Sequence, residues 1–299
     1  MKKVILGLTA LGLVAVAVTI YSCNKDKELN TTQDAKIVGA IGEVYENPFE
    51  QYGIWHNECL EYMFSHIEEG EEINCDYLWT TYGVQFFQNV LGDDYVPTPL
   101  DELHAAYERV RDIVRNKKYP NRLPQLVAAG IINQQLNLQN LIPVPEGVLP
   151  KDRPVRRNNY QILNDYFNFL RTFNVTNAAT YQTAHDRLCT LEQEILANYY
   201  ALINARVIIP DIDNPIANEY KKVLSFMSVS RNSEVFWRYY HVILMAPPVL
   251  AVSFEHAFKI AKADGDAEVE ALVNGKGLGK ANSDCTDASA RAKFDPTLF

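Results

Sequence analysis

The chain has 299 residues, with 28 basic and 37 acidic side chains and a net charge of −9 at pH 7. This length suffices for one large domain or two small ones. Because an acidic chain without basic clusters repels phosphate backbones, no nucleic-acid partner is expected.

The first predicted element is an N-terminal export signal. Two lysines precede an apolar run over residues 4–20, which leads to Ile20-Tyr21-Ser22-Cys23. A charged start, an apolar middle and a small residue before the break are typical of secretory signals. The last four residues resemble the lipobox of bacterial lipoproteins, in which a cysteine carries the lipid. An uncleaved membrane anchor and a plain secretory signal are the alternatives.

The lipobox resemblance implies a location for the mature protein. Residues 1–22 are predicted to be a lipoprotein signal peptide, and Cys23 is the predicted lipidation site and the contact with the membrane. Several acyl chains anchor a protein stably, because each buried methylene group contributes ~0.8 kcal/mol. We therefore expect a lipid-anchored protein of the bacterial outer membrane that faces the periplasm or the cell surface. The polar residues 23–36 are expected to form a tether.

Residues 37–263 are predicted to form one all-α domain. Apolar side chains recur at spacings of three and four, and the alternation typical of strands is nearly absent. Helix starts are indicated where a capping residue precedes proline, as in Asn47-Pro48, Thr98-Pro99 and Asn214-Pro215. A further helical stretch is expected over 124–142. The predicted architecture is a bundle or array of about eight or nine helices.

The second half of the chain contains an interruption and a change of composition. Residues 143–157 hold four prolines and a glycine, which predicts either a long surface loop or a division between two helical halves. Separate helices are then expected at 215–228, 231–245 and 248–263. Residues 264–299 combine small and polar side chains with spaced glycines, which predicts a partly loose C-terminal tail.

Four cysteines remain once Cys23 is assigned to the lipid: Cys59, Cys75, Cys189 and Cys285. An exported protein meets an oxidising environment, so one or more disulfides are one expectation, with the pairing open. Buried free thiols are the other, since Cys59 falls on the apolar face of a helix. The cysteine spacings match no zinc pattern, and neither a metal site nor a cofactor is expected.

The most informative helix contains His56. This residue borders an apolar stripe through Trp55 and Cys59, so it is expected to be at least partly buried. A structural, neutral histidine is one interpretation. The other is a pocket histidine with Glu58 or Glu61 as acid or base, which makes these three the candidate catalytic residues. Because Glu61 points elsewhere on the same helix, a partner for His56 is expected from another helix.

Three short motifs stand out along the chain. They are His56-Asn57-x-x-Leu60, a serine-rich stretch over 228–237 that ends in tryptophan, and Ala263-Asp264-Gly265 before the spaced glycines. Together with the lipobox, these motifs resemble those of uncharacterised exported lipoproteins of the Bacteroidetes type. The resemblance implies a place in the cell envelope. It implies no activity, cofactor or catalytic residue.

These observations favour a lipid-anchored exported protein with a structural or binding role. A protein or a glycan is a candidate ligand, because aromatic side chains, among them 17 tyrosines and three tryptophans, can stack on sugars, although aromatic stripes at helical spacing more often belong to a core. The alternative is a small hydrolase or a metal-dependent enzyme with a pocket around His56. That alternative requires two or more titratable groups to converge in the pocket.

Overall fold

The computed structural model describes residues 44–67, 72–116, 118–144, 146–149, 155–209, 212, 214–243, 253–295 and 298, of which 239–243 by their backbone alone. Within these ranges the chain contains helices and no β-strand, so the predicted all-α class is confirmed. Eight of the helices have seven or more residues, which agrees with the predicted number. The predicted signal peptide and tether lie outside the described residues.

The helices follow one another in a single compact unit that spans residues 45–299. The segment 143–157 therefore lies within this unit and is not a boundary between domains. In chain order, the helices are α1 (Gln51–Phe64), α2 (Cys75–Leu78), a π-helical turn (Trp79–Gly83), α3 (Val84–Leu91), α4 (Leu100–Asn116), α5 (Leu123–Ala128), α6 (Leu138–Leu141), α7 (Asn159–Thr172), α8 (Ala178–Asn204), α9 (Pro215–Ile243), α10 (Phe254–Val273) and α11 (Leu278–Phe294).

Side-chain caps explain where several helices begin. The Asn158 side chain accepts a hydrogen bond from the Gln161 amide, and the Gln161 side chain accepts one from the Asn158 amide, so α7 starts with a capping box. Asn177 and Thr180 form the same arrangement at the start of α8. At α9, the side chain of Asn214 accepts from the amide two residues later, as its position before proline predicts.

Three helices at the centre of the molecule are buried along most of their length. Every residue over 223–237 of α9 and over 281–293 of α11 is buried. The third helix, α10, packs against both of them. A helix that is buried all round is usually apolar. Here the buried segments contain serine, asparagine, aspartate and arginine, so the core holds many polar groups that must find partners inside the protein.

The structure differs from the expected tail over residues 264–294. These residues form the second half of α10 and all of α11, and they pack against α9, α4 and α1. Their small side chains do not indicate a loose segment. They allow neighbouring helices to approach one another closely. A Cβ at Gly265 would overlap the Ser230 hydroxyl of α9. The polar residues near 230 likewise lie inside a helix. α9 runs without a break through the two helices that were predicted at 215–228 and 231–245.

The helical stretch expected over 124–142 is wrong in its length. It consists of two short helices, α5 and α6, joined by a loop. Gly130 has a φ of 68°, a left-handed conformation that ends α5 and that glycine adopts without strain. Among the described helices, none combines the length and the apolar character needed to cross a membrane.

Candidate functional site

His56 lies deep in the helical core. Its side chain is fully buried on the face of α1 that packs against α9. Gly53, one turn earlier, allows this close approach, since a Cβ there would lie 2.7 Å from the carbonyl oxygen of Ser228. The expectation that His56 is at least partly buried is therefore confirmed, and the residue faces other helices of the core.

His56 meets two side chains from the last two helices. Its Nε2 atom lies 3.6 Å from Oδ2 of Asp264 on α10. The sulfur of Cys285 on α11 completes a group whose ligand atoms all lie within 4.8 Å of one another. All three side chains are fully buried. We refer to these residues as the His56–Asp264–Cys285 cluster.

A neighbouring asparagine sets the tautomer of His56. The Asn57 amide nitrogen donates to the carbonyl oxygen of Asn232, so the Asn57 Oδ1 atom faces His56. Nδ1 of His56 lies 3.0 Å from that oxygen and must carry the proton. The lone pair is therefore on Nε2, which points towards Asp264. This Nε2 atom has no hydrogen-bond partner among the described residues.

Hydroxyl groups support the carboxylate of Asp264. Ser233 and Ser289 both donate to its Oδ2 atom, at 2.5 and 2.9 Å. The thiol of Cys285 donates to the main-chain carbonyl of Asp264 at 3.0 Å. Trp237 also interacts with the Asp264 carboxylate, so Nε2 of His56 is the lone-pair atom of the cluster that the described residues leave unsatisfied.

Burial changes the protonation of each member of the cluster. It lowers the pKa of His56 to about 4, against a weaker opposing effect of Asn57. It raises the pKa of Asp264 to about 7, although the two serines and Trp237 act in the opposite direction. It also raises the pKa of the Cys285 thiol well above 9. At neutral pH the imidazole is therefore neutral, which is the form that binds metals.

The two acids proposed alongside His56 lie apart from this cluster. Glu58 is exposed, and Glu61 is partly buried on another part of α1. Burial, together with the charge of Glu58, raises the pKa of Glu61 to about 7. The structure thus brings His56 together with Asp264 and Cys285, and it brings neither glutamate into the cluster.

Sequence reasoning missed Asp264 and Cys285 as partners of His56. Both fall in the segment that was expected to be a tail, and their spacing matches no metal-binding pattern. The useful signal was the expectation that a partner for His56 comes from another helix. The structure also distinguishes between disulfides and free thiols. Cys59, Cys75, Cys189 and Cys285 are all free thiols.

The cluster offers the ligands of a transition-metal site. Imidazole nitrogen, carboxylate oxygen and thiolate sulfur are the three donor types that zinc accepts, whereas calcium and magnesium prefer oxygen alone. Comparisons with known proteins give no further indication of function. No family model matches the chain, and no curated protein or solved structure does so either.

Proposed function

We propose that this protein binds one divalent transition-metal ion of the zinc type at the His56–Asp264–Cys285 cluster, where the ion holds the core helices together. The observation that carries the proposal is the unsatisfied lone pair on Nε2 of His56. It is buried, its tautomer is set by Asn57, and it faces a carboxylate and a thiol.

The spacing of the donor atoms fits such an ion. Bonds of about 2.0–2.1 Å from zinc to nitrogen and oxygen place two tetrahedral ligand atoms ~3.3 Å apart. The observed 3.6 Å between Nε2 of His56 and Oδ2 of Asp264 is close to this value. It is too long for a direct hydrogen bond between them. Only small movements would therefore bring His56 and Asp264 onto the ion, whereas the sulfur of Cys285 would have to leave the carbonyl of Asp264 and turn towards it.

The charges in the cluster also fit. A divalent ion, one carboxylate and one thiolate sum to zero, so the loaded site places no net charge in the core. Binding breaks the S–H bond of Cys285, forms a bond from sulfur to the metal and releases the proton to solvent. The metal provides the energy for this step, since a coordinated thiol is deprotonated outright.

The burial of the cluster favours a structural role over the hydrolase alternative. A hydrolytic zinc site needs a position that substrate and water can reach. Here the three ligand residues are fully buried, and they come from α1, α10 and α11. An ion bound by all three would link helices that lie far apart in the sequence. This supports the structural or binding role expected from the sequence.

We also propose that the chain is anchored in the bacterial cell envelope by a lipid on Cys23. The support is the sequence alone, namely the apolar run over 4–20 and its lipobox-like end. Lipoproteins of this kind pass an oxidising compartment, where the unprotected thiol of Cys285 could be oxidised. A bound metal and full burial would both protect it.

The metal proposal is tested with cobalt, which reports on sulfur ligands. The purified chain is refolded with one equivalent of Co²⁺ or Zn²⁺, desalted and analysed for metal content and absorbance. We expect one ion per chain and a thiolate-to-cobalt charge-transfer band. At a zinc concentration about 100 times the dissociation constant, the free energy of unfolding should rise by about 2.7 kcal/mol.

Two serine variants, one inside the cluster and one outside it, test whether Cys285 binds the metal. Cys285→Ser should lose the charge-transfer band, whereas Cys189→Ser should retain it, because Cys189 lies outside the cluster. His56→Gln should reduce the metal content to background. A wild-type chain that retains no metal, or an unchanged band in Cys285→Ser, would overturn the proposal.

The lipid proposal is tested by the intact mass of membrane-extracted protein, wild type against Cys23→Ala. We expect the wild-type mass to equal the chain from Cys23 plus acyl groups and the variant to lose this species. An unmodified full-length mass would indicate an uncleaved anchor, and an unmodified shorter mass a freely secreted protein. Either result would refute lipidation without affecting the metal proposal.

A further inference from the structure

A second group of reactive side chains lies between α8 and α9, outside the metal-binding cluster. His185 and Cys189 are four residues apart on α8 and share one face of that helix. The sulfur of Cys189 lies 3.5 Å from Nε2 of His185. Nδ1 of His185 lies 2.8 Å from Oε2 of Glu234 on α9. Thiol, imidazole and carboxylate are thus arranged in series.

The carboxylate sets the orientation of the imidazole. Glu234 is fully buried, and Nδ1 of His185 donates to its Oε2 atom. The other carboxylate oxygen, Oε1, has no hydrogen-bond partner among the described residues. Tyr181, one turn before His185, donates from its hydroxyl to the main-chain carbonyl of Glu234 and links the two helices at this point. Nε2 of His185 is therefore the atom that faces the thiol.

The surroundings of His185 favour its protonated form. Burial alone would lower the pKa of His185, but the charges of Cys189 and Glu234 and the hydrogen bonds to both raise it well above its usual value of 6.5. A histidine that lies against a thiol and is oriented by a carboxylate is placed to accept the thiol proton. A thiolate is the nucleophilic form of cysteine, so proton transfer to His185 would activate the sulfur.

Cys189 differs from the other cysteines in its surroundings. Cys59 and Cys285 are fully buried, and burial raises their pKa well above 9. Cys75 is half-buried, and burial raises its pKa to about 11. Cys189 is also half-buried, but its sulfur lies against a histidine. It is therefore the thiol that a reagent in solution should modify first.

The position of Cys189 selects the kind of electrophile. The residue lies in the interior of α8, where the backbone N–H groups are used in helical hydrogen bonds. The backbone N–H groups of these turns of α8 are therefore not free to stabilise an oxyanion, which an attack on a carbonyl requires. Attack on a disulfide forms no oxyanion, because the negative charge passes from one sulfur to another.

We propose that Cys189, activated by His185 and Glu234, is a site of thiol–disulfide exchange that accepts one half of a low-molecular-weight disulfide. The Cys189 thiolate attacks one sulfur of the disulfide, and a new S–S bond forms as the old one breaks. The other sulfur leaves as a thiolate and takes the proton held on His185. One disulfide bond is lost and one is formed, so no further oxidant is needed. The proposal does not depend on the metal site or on the lipid anchor.

The test measures which cysteine reacts first with a disulfide reagent. Folded wild-type protein is treated with a limiting amount of dithiodipyridine at about pH 6, quenched and mapped by peptide mass spectrometry. Cys75 is the internal reference, because it is half-buried like Cys189. We expect Cys189 to react at least ~10-fold faster than Cys75, since its sulfur lies against His185, which can take up the thiol proton.

Variants separate activation from simple exposure. His185→Gln should bring the rate at Cys189 down to about that at Cys75, and Glu234→Gln should lower it in the same direction. In strong denaturant, wild type and variants should react equally, because the arrangement is lost. A wild-type Cys189 that reacts no faster than Cys75 would overturn the proposal, even if the variants do not fold. An unchanged rate in a folded His185→Gln variant would do the same.

Discussion

Glu219 of α9 is a buried carboxylate whose partners are neutral. Its two oxygens accept hydrogen bonds from the main-chain amide of Asn133, at 2.9 Å, and from the side chain of Asn159, at 3.0 Å. These bonds favour the charged form, but burial outweighs them and raises the pKa of Glu219 to about 7. The folded protein therefore retains a proton that the unfolded chain releases near pH 4.5.

Replacing Glu219 by glutamine should remove part of the pH dependence of stability. With a folded pKa above the unfolded one, the contribution of this carboxyl group is fully present below about pH 4.5 and is lost as the pH rises through about 7. A shift of this size corresponds to roughly 3 kcal/mol. Glu219→Gln should therefore stabilise the protein by about 2–3 kcal/mol near pH 8 and have little effect near pH 4.5.

Urea denaturation across this pH range checks the prediction. Glutamine can still accept from the Asn133 amide. If the Asn159 amide turns over, the new N–H₂ can donate to Oδ1 of Asn159, which has no partner in the described chain. The exposed carboxylate of Glu102 provides a control, since Glu102→Gln should follow the wild-type profile. Parallel profiles for wild type and Glu219→Gln would contradict the prediction.

At the scale of helices, the contact between α1 and α9 places His56 in the core. The contact is close because Gly53 has no side chain, and Ser228 of α9 occupies the space that a Cβ would need. The hydroxyl of Ser228 in turn donates to Glu50 at the start of α1. A small residue and a polar side chain thus act together to set the distance between the two helices.

Gly53→Ala tests this contact. In an exposed helix the change would stabilise by up to ~1 kcal/mol, but here it forces α1 away from α9. We expect a net loss of ~2 kcal/mol in the free energy of unfolding, since overpacking costs about 1–3 kcal/mol. Gly277→Ala, at the N-cap of α11, is a control without a close contact, because no atom lies within 4 Å of its Cβ position. A Gly53→Ala variant as stable as this control would contradict the prediction, because it would show that α1 and α9 can move apart at little cost in free energy.

At the scale of the whole molecule, the helical class was predictable and the arrangement of the centre was not. Apolar residues at spacings of three and four occur in α4, α7 and α8, because each has one buried face and one less buried face. The same reasoning failed for α11, since a helix buried on every side has no such pattern. Its small and polar composition resembles that of a tail, and only its packing against α10, α4 and α1 distinguishes the two.

The candidate site was predictable only in part for the same reason. His56 was identified from its place beside an apolar stripe, and its partner was expected on another helix. Asp264 and Cys285 could not be named, because contacts between distant parts of a chain leave no trace in local spacing. Likewise, the pair Cys189 and His185 lies at helical spacing, but Glu234 joins it only through the packing of α9 against α8.

The burial of α11 has a consequence for how the protein is made. During synthesis a chain emerges from its N-terminus, so α11 is made after every other described helix. Until then α1, α4 and α10 lack a neighbour that they contact in the folded protein, and Cys285 is missing from the cluster. The core of this protein is therefore completed late. The incomplete chain exposes both polar and apolar surface, which is the kind of state that chaperones protect.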